Sequence, residues 1–389
     1  MTALALMILG FPFTGIGAEK NGFECVENTS SKKSTMDTEY SWCFGQDVIL
    51  KKFNGVDMDP SIVRDGKKIW FIYGGGGVDH RRIRRWQGSN MDDLTALPDG
   101  KRDDSFTRPF GDDIYWIGPI WVDPANGDWL ATVHVEFHYD AKNPWGVPAF
   151  RRIGLAKSID KGANWHYEGS ILTSDNPLTR EAYAGHYYDN GEGDLKLYVD
   201  AKGGYFYLWF LHDWCKKDAG WTRVQSMRVA RCALADKMAP GKWQKWYHGR
   251  WSESGLGGHS SDVFNSADNT TVFFSTFLNR FAALGSCHGG DYLSTCDDLS
   301  KQNWSPMEQL GVTNQLGWYN FAVNPTNWQR MEVGQEFRLY SSQCGSEGFD
   351  TRYRLVRFTF KDRKPVLIQP TYPDESVPDF NPIWDSQFK

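Results

Sequence analysis

The stretch MDPSIVRDGKKIWFIYGG (Met58–Gly75) reads as a β-hairpin with both arms written out. An acid-proline pair opens it, a short apolar run follows, a charged Asp-Gly turn intervenes, and a second apolar run ends in glycines. Asp-Pro commonly opens a turn, since the residue before proline is driven toward extended backbone. An aspartate at the head of a strand can equally do chemistry, so Asp59 carries two readings that the rest of the chain must separate.

Similar hairpins recur at intervals of roughly 50–70 residues, a spacing that points to propeller blades. Each unit pairs an apolar strand and an aromatic run across an Asp-Gly, Asn-Gly or Gly-Gly turn, then adds a strand of small and basic residues closed by Trp. A second unit joins GPIWVDPANGDWLATVHVEF to RRIGLAKSIDKGANWHYEG, and a third carries GDLKLYVDAKGGYFYLWFLHDW. A fourth spans SSDVFNSADNTTVFFSTFLNRF, and a fifth spans YNFAVNPTNWQRMEVGQEFRLYSSQ. No unit could bury much by itself, so neighbours must stack. The fold expected is all-β, a five-bladed β-propeller, with a β-sandwich pair as the competing arrangement. One helical turn is expected near Ala233–Met238.

The chain has 389 residues with 18 Trp, 17 Tyr and 24 Phe; aromatics make up 15% and charged residues 23%. That is a globular composition with an aromatic surplus, which excludes disordered and fibrous classes. Aromatic rings suit strands, and they also suit the flat apolar faces of sugar rings. A net charge of −5 leaves no electrostatic footprint for nucleic acid. The local basic cluster DHRRIRRW (Asp79–Trp86) is either a solvated strand face or a rim that meets an anionic substrate.

Residues 3–18 form the one long apolar stretch, too short for a membrane span and ending in small residues. A secretory signal over 1–18, an extension over 19–47, a propeller over 48–368 and a tail over 369–389 are therefore expected, in a secreted protein. Sequons at Asn28, Asn269 and Asn303 fit export. Seven cysteines fit an oxidising compartment, with Cys25/Cys43, Cys215/Cys232 and Cys287/Cys296 as local pairs.

SIDKGANW (Ser158–Trp165) resembles the Asp-box of sialidase-like propellers, a structural turn remote from the active site. Asp160 is expected to accept backbone N–H bonds, Gly162 to supply positive φ, and Trp165 to pack between strands. The opening stretch resembles the blade-one signature of five-bladed glycoside hydrolases of the arabinanase, xylosidase and fructosidase group. That resemblance makes Asp59 the general base. The group's general acid is a glutamate followed by glycine ahead of the third blade's Tyr-rich hairpin, which falls on Glu192-Gly193 in GEGDLKLYVD, with Asp194 as substitute where the group usually has proline. Its third carboxylate, which raises the pKa of the acid, usually follows Ala-Pro in blade two. Here Gly118-Pro119 is followed by Ile120, so the expected acid is missing, and Asp113 and Glu136 are the candidates to replace it.

Glu136 alternates with His134 and His138, which puts three polar side chains on one face of an apolar strand. Such a face is costly to bury without a task. His134, His138, Asp194, Trp116 and His186 are the expected substrate-binding residues. GKWQKWYHGRWSESGLGG (Gly241–Gly258) is similar to uncharacterised secreted bacterial sialidase- or arabinanase-like propellers, and its Trp243, Trp246, Tyr247 and Trp251 suit either a sugar platform or packing between blades.

The leading functional expectation is a secreted monomeric glycoside hydrolase acting on a carbohydrate, arabinofuranosides by resemblance. It needs no membrane or nucleic-acid partner and no cofactor, with a structural cation in the central channel as the one addition. A propeller polysaccharide lyase would use His134, His138, His186 or Tyr187 as base and Arg81–Arg85 against a uronate. A non-catalytic glycan-binding protein is the third reading.

Overall fold

In the computed structural model the described residues are 40–44, 48–50, 53, 56–74, 82–106, 114–138, 149–175, 187–216, 222–265, 267–287, 290–309, 318–345, 348–360 and 366–367. Strands β1 (Tyr40–Phe44) and β2 (Val48–Ile49) come first. The opening stretch then supplies β3 (Ser61–Asp65) and β4 (Lys68–Gly74), and β5 (Ile83–Gly88) and β6 (Leu94–Ala96) complete an antiparallel meander. After β7 (Lys101–Arg102), a second meander is built from β8 (Ile114–Val122), β9 (Trp129–His138), β10 (Ala149–Ser158) and β11 (Asn164–Leu172).

The third meander runs through β12 (Tyr187–Asp200), β13 (Tyr205–Lys216), β14 (Thr222–Ala233) and β15 (Gln244–Tyr247), with β16 (Arg250–Ser254) and β17 (Phe264–Asn265) attached. A fourth comprises β18 (Ala267–Ser275), β19 (Arg280–Cys287), β20 (Gly290–Cys296) and β21 (Glu308–Gln309). Last come β22 (Trp318–Val323), the short β23 (Glu332–Val333), β24 (Glu336–Gly345), β25 (Gly348–Phe360) and β26 (Val366–Leu367). The expected helical turn is a single 3₁₀ turn, Leu234–Asp236.

Hydrogen bonding groups these strands into four sheets of four, eleven, six and five strands. The eleven-stranded sheet exists because the second and third meanders touch through one parallel pair, Arg151↔Gly191. β1 pairs antiparallel with β25 from Tyr40↔Phe360 to Phe44↔Val356, so an early strand completes the last sheet. This is the arrangement of a β-propeller, in which the ring closes by sharing a blade between distant chain segments.

The opening stretch shows why the sheets stack. In β4 the run Ile69–Tyr73 is buried throughout. Trp70 and Ile72 join an apolar core with Tyr115, Val133 and Trp165 of the second meander. Ile69, Phe71 and Tyr73 join another with Phe321 and Tyr340 of the last. Alternate side chains of one strand thus feed two cores, which is why the sequence is continuously apolar rather than alternating. Phe71 and Phe53 add an edge-to-face contact at 5.0 Å.

Two expected disulfides are excluded by register. Cys232 pairs with Phe206, whereas Cys215 pairs with Arg223, nine residues further along the same strand. At about 3.3 Å per residue that separation is roughly 30 Å, against the ~7 Å limit for bridging. Cys296 pairs with Phe281 and Cys287 with Gly290, six residues apart, or roughly 20 Å. Cys232 and Cys296 are free and buried, and burial pushes the Cys296 thiol up to about 11. Cys25 lies outside the described residues.

The turn at Ser158–Trp165 has the geometry its residues imply. Asp160 Oδ1 accepts the Asn164 N–H at 2.8 Å, and Ser158 Oγ accepts the Gly162 N–H at 2.9 Å. Gly162 sits at φ +79°, and buried Trp165 donates Nε1–H to the Gly162 carbonyl at 3.0 Å.

Candidate active site

The second, third, fourth and fifth meanders each open on a strand with a register break: β8 between Ile117 and Ile120, β12 between Gly193 and Lys196, β18 between Asp268 and Thr271, and β22 between Trp318 and Phe321. Bulges of this kind re-aim side chains. In β12 and β22 they place two non-glycine residues in the left-handed region, Asp194 at φ +42° and Tyr319 at φ +53°. The two touch: the Tyr319 hydroxyl donates to Asp194 Oδ1 at 3.3 Å. Left-handed backbone at ordinary residues is a form of strain that gathers at functional sites.

Asp57 joins them, hydrogen-bonded to the same Tyr319 and close to the charges of Asp194 and Glu136. Burial first, and then Asp194 and Glu136, push the Asp57 carboxyl up to about 8, against a bond from Tyr319 and the Arg151 charge. Burial and the same carboxylates hold the Tyr319 phenol well above its usual range, so it keeps its proton.

Glu136 and His134 share a face of β9, as their alternation implies. His134 Nδ1 accepts the Asp194 backbone N–H at 3.0 Å, which leaves Nε2–H to donate to Glu136 Oε1 at 2.9 Å. That fixes the tautomer and ties the Asp194 bulge to β9. Arg151 donates Nε–H to Glu136 Oε1 at 2.7 Å and Nη1–H to Asp213. Burial opposes the Arg151 charge, but Glu136, Asp213 and Asp194 outweigh it and raise its pKa. Gly193 is required here, because a Cβ would lie 2.3 Å from His134 Cε1.

Beneath this layer lies a buried ion triad. Asp59 is 1% exposed; its Oδ1 accepts Lys196 Nζ at 2.9 Å, and Arg330 Nη2 reaches Oδ1 and Oδ2 at 2.7 and 2.9 Å. Lys196 also donates to the Asn320 carbonyl at 3.1 Å, and Arg330 to that of Pro60. The aspartate before proline therefore points inward, where it anchors the first, third and last meanders. The carboxyl that meets Asp194 is two residues earlier, at Asp57.

Glu192 belongs to a different cluster. Its Oε1 accepts Lys245 Nζ at 2.6 Å, with both side chains buried. Lys245 places its other two protons on the Thr173 and Gly258 carbonyls at 2.6 and 2.8 Å. Burial pushes the Glu192 carboxyl up and the Lys245 charge pulls it back.

Of the expected site residues, Asp194, Glu136 and His134 are brought together, Trp116 packs edge-on behind His134 at 5.2 Å, Asp59 lies below, and Glu192 stands apart. Asp113, His186 and the His138 side chain lie outside the described residues. Sequence reading missed Asp57, Arg151, Lys196, Asp213, Tyr319 and Arg330. A signal existed for Lys196, a charge inside the apolar run LKLYV, and for Arg151 at the head of a buried strand.

Of the basic cluster, residues 79–81 lie outside the described residues; Arg84 bonds Asp99, while Arg85 donates to the Pro98 and Lys161 carbonyls at 3.1 Å each. Trp243 is buried, and Trp251 packs on Trp246 of the paired strand at 4.9 Å while donating to the Ser300 carbonyl of the fourth meander at 2.7 Å. Among the described residues, no group of three or more His, Cys, Asp or Glu is arranged to hold a metal ion, and no helix is long and apolar enough to cross a membrane.

No protein-family model matches the chain, and no curated protein matches it in sequence. Among solved structures it is similar to Zg3597, a family 117 glycoside hydrolase from the marine bacterium Zobellia galactanivorans, at 11% identity and TM-score 0.50, covering 85% of this chain and 96% of that one. A thermostable family-43 glycoside hydrolase gives 11% identity and TM-score 0.48, covering 80% and 93%. The exo-β-1,3-galactanase of Phanerochaete chrysosporium gives 11% and 0.47, covering 83% and 67%. At such identity the likeness to Zg3597 is one of fold, the β-propeller, and the two below 0.5 add no argument of their own.

Proposed function

We propose that the protein is a glycoside hydrolase whose general acid is Asp57 and whose ionised partner is Asp194. The observation that carries this is one phenol, Tyr319, in hydrogen-bond contact with both carboxyls, one of which has its pKa pushed up to about 8. A glycosidic oxygen leaves poorly without a proton, so the reaction needs one protonated and one ionised carboxyl facing the same bond. Near neutral pH Asp57 holds the proton and donates it to the leaving oxygen. Asp194 either removes a proton from an attacking water or attacks the anomeric carbon itself. Burial first, then the charges of Asp194 and of Glu136, the latter fixed by Arg151 and His134, keep Asp57 protonated; Glu136 is the fixed charge among them. It takes the role the arabinanase-like resemblance gave to a third carboxylate.

The reading includes a ring of five blades, supported by the meander repeat, by apolar cores between successive meanders and by the core joining β4 to the last. Arabinofuranosides, by the resemblance carried in the opening stretch, are the first substrates to try. Export is supported by the apolar stretch at residues 3–18.

The test is release of reducing ends across a panel of neutral glycans. Asp57→Asn and Asp194→Asn should each lose about 10²–10⁴-fold in rate while staying folded. Full activity in either variant sinks the assignment, and a product that absorbs in the ultraviolet through a new C=C bond replaces it with elimination.

A further inference from the structure

Asp194 stands where β12 leaves its ladder. The β12–β13 register pairs Gly193 with Leu211 and Lys196 with Trp209, so Asp194 and Leu195 between them have no cross-strand partner. A backbone N–H lifted out of a ladder needs another acceptor. Here the acceptor is a side chain, His134 Nδ1, at 3.0 Å. We propose that His134 is a positioning residue: it holds Asp194 in the left-handed pose that presents its carboxyl, and it does not bind substrate. The inference rests on the role proposed above for Asp194.

Both ring nitrogens are spent inside the protein. His134 is 2% exposed, and its Nε2–H goes to Glu136 Oε1 at 2.9 Å. Trp116 packs edge-on against the ring. A Cβ at Gly193 would lie 2.3 Å from His134 Cε1 and 2.6 Å from Nδ1, so the backbone just ahead of Asp194 rests on the ring itself. A substrate-binding histidine would present a nitrogen to the cleft; this one presents none. Asp194 at φ +42° is backbone that a side chain with a Cβ adopts at a cost, which a fixed acceptor offsets. The Tyr319 hydroxyl reaches the carboxyl of the same residue at 3.3 Å, so main chain and side chain are gripped separately.

The acceptor is itself anchored across the seam between the second and third meanders. Glu136 Oε1 accepts His134 Nε2–H and, at 2.7 Å, Arg151 Nε–H. Arg151 gives Nη1–H to Asp213 on β13, which also accepts Asn190 Nδ2–H at 3.2 Å. Asp213 is the cross-strand partner of Gly191, and Gly191 is where β12 meets Arg151 of β10. The bonds therefore run from β12 to β9, β10 and β13 and back to β12, a closed circuit in which the bond from Asp194 to His134 is the link that touches a reacting residue.

The experiment records NMR spectra of full-length protein carrying ring-¹⁵N histidine and ¹⁵N-aspartate, with no substrate added; the His134 and Asp194 signals are identified by their absence from His134→Asn and Asp194→Asn. In wild type the His134 ring must carry its proton on Nε2 and none on Nδ1, and the Asp194 amide must be protected from exchange; a proton on Nδ1, or an amide that exchanges freely, overturns the proposal without any substitution. His134→Gln keeps a donor for Glu136 and removes the acceptor. Asp194 amide exchange should then quicken about tenfold, the worth of one hydrogen bond. On whichever neutral glycan wild type cleaves, kcat should fall about 10²-fold, as for a misplaced reacting group, with KM within about threefold. His134→Asn keeps an oxygen where Nδ1 stood, so it should restore the amide's protection and about tenfold of the lost kcat. A raised KM at unchanged kcat would make His134 a substrate-binding residue, and equal effects of Gln and Asn would make the ring mere packing; either overturns the proposal. Should His134→Gln fail to fold, the wild-type tautomer and amide still decide it. Both are read without substrate, so a chain that cleaves no glycan overturns the proposed function and leaves this anchor to be judged by itself.

Discussion

Glu192→Gln separates a catalytic carboxylate from a structural one. By resemblance Glu192 is the proton donor; by structure it is the counter-charge of Lys245, whose three protons go to Glu192 Oε1 and to the Thr173 and Gly258 carbonyls. Those two carbonyls belong to the segment after β11 and the loop after β16, so Lys245 pins both to β12. Removing one partner of a buried ion pair costs about 3–5 kcal/mol, because the remaining charge stays buried without compensation.

In a chain of this size, at about 2.1 cal/mol/K of unfolding entropy per residue, that loss lowers Tm by roughly 4–6 °C. The assay is thermal unfolding at pH 7 together with hydrolysis well below Tm. Glu192→Gln should melt early and still turn over at low temperature. The double variant Glu192→Gln/Lys245→Met should lose about 1–3 kcal/mol less than the two single losses combined, since the pair fails together. A Glu192→Gln protein that melts with wild type and hydrolyses nothing would refute this reasoning and return the acid role to Glu192.

Other outcomes follow from the same geometry. Activity should fall as pH rises past about 8, when Asp57 gives up its proton; an alkaline limb unchanged in Glu136→Gln would remove Glu136 as its cause, because loss of that charge must move the limb down. The Asp57 carboxyl is raised in the fold, so the native state keeps a proton that the unfolded chain releases, and stability contributed by that proton is lost as pH climbs from about 4 toward about 8. Asp57→Asn should accordingly unfold at higher urea than wild type at pH 8.5 while losing activity. Gly193→Ala, whose Cβ would press on His134, should cost about 1–3 kcal/mol in urea unfolding and displace Asp194 with it, so a variant with unchanged activity would argue against His134 as its anchor. Phe71→Ala should cost about 3–5 kcal/mol, measured the same way, because its ring fills the core joining the first and last meanders.

The repeat and the strand class could be read from the chain because β4 writes both of its neighbours into one run: Trp70 and Ile72 for one core, Ile69, Phe71 and Tyr73 for the other. The site could be read only to within a strand turn. Asp57 and Asp59 differ by two residues, one period of an extended chain, so pattern places both on one side and is silent on which meets the opposing acid. Depth decided it, through Lys196 and Arg330, which reach Asp59 from 137 and 271 residues away. The same applies to Glu192 and Asp194. Ideal alternation would put them on one face, but the bulge after Gly193 turns Asp194 toward Tyr319 and leaves Glu192 facing Lys245. Bulges have no reliable residue code beyond glycine, and NGEGD offers glycine on both sides of the glutamate. What the chain did carry was charge where an inner strand should be apolar, at Glu136, Arg151 and Lys196. Such residues persist in a core only when something answers their charge. In this fold His134 and Arg151 answer Glu136, Asp213 answers Arg151, and Asp59 answers Lys196, close to the two carboxyls proposed to carry hydrolysis.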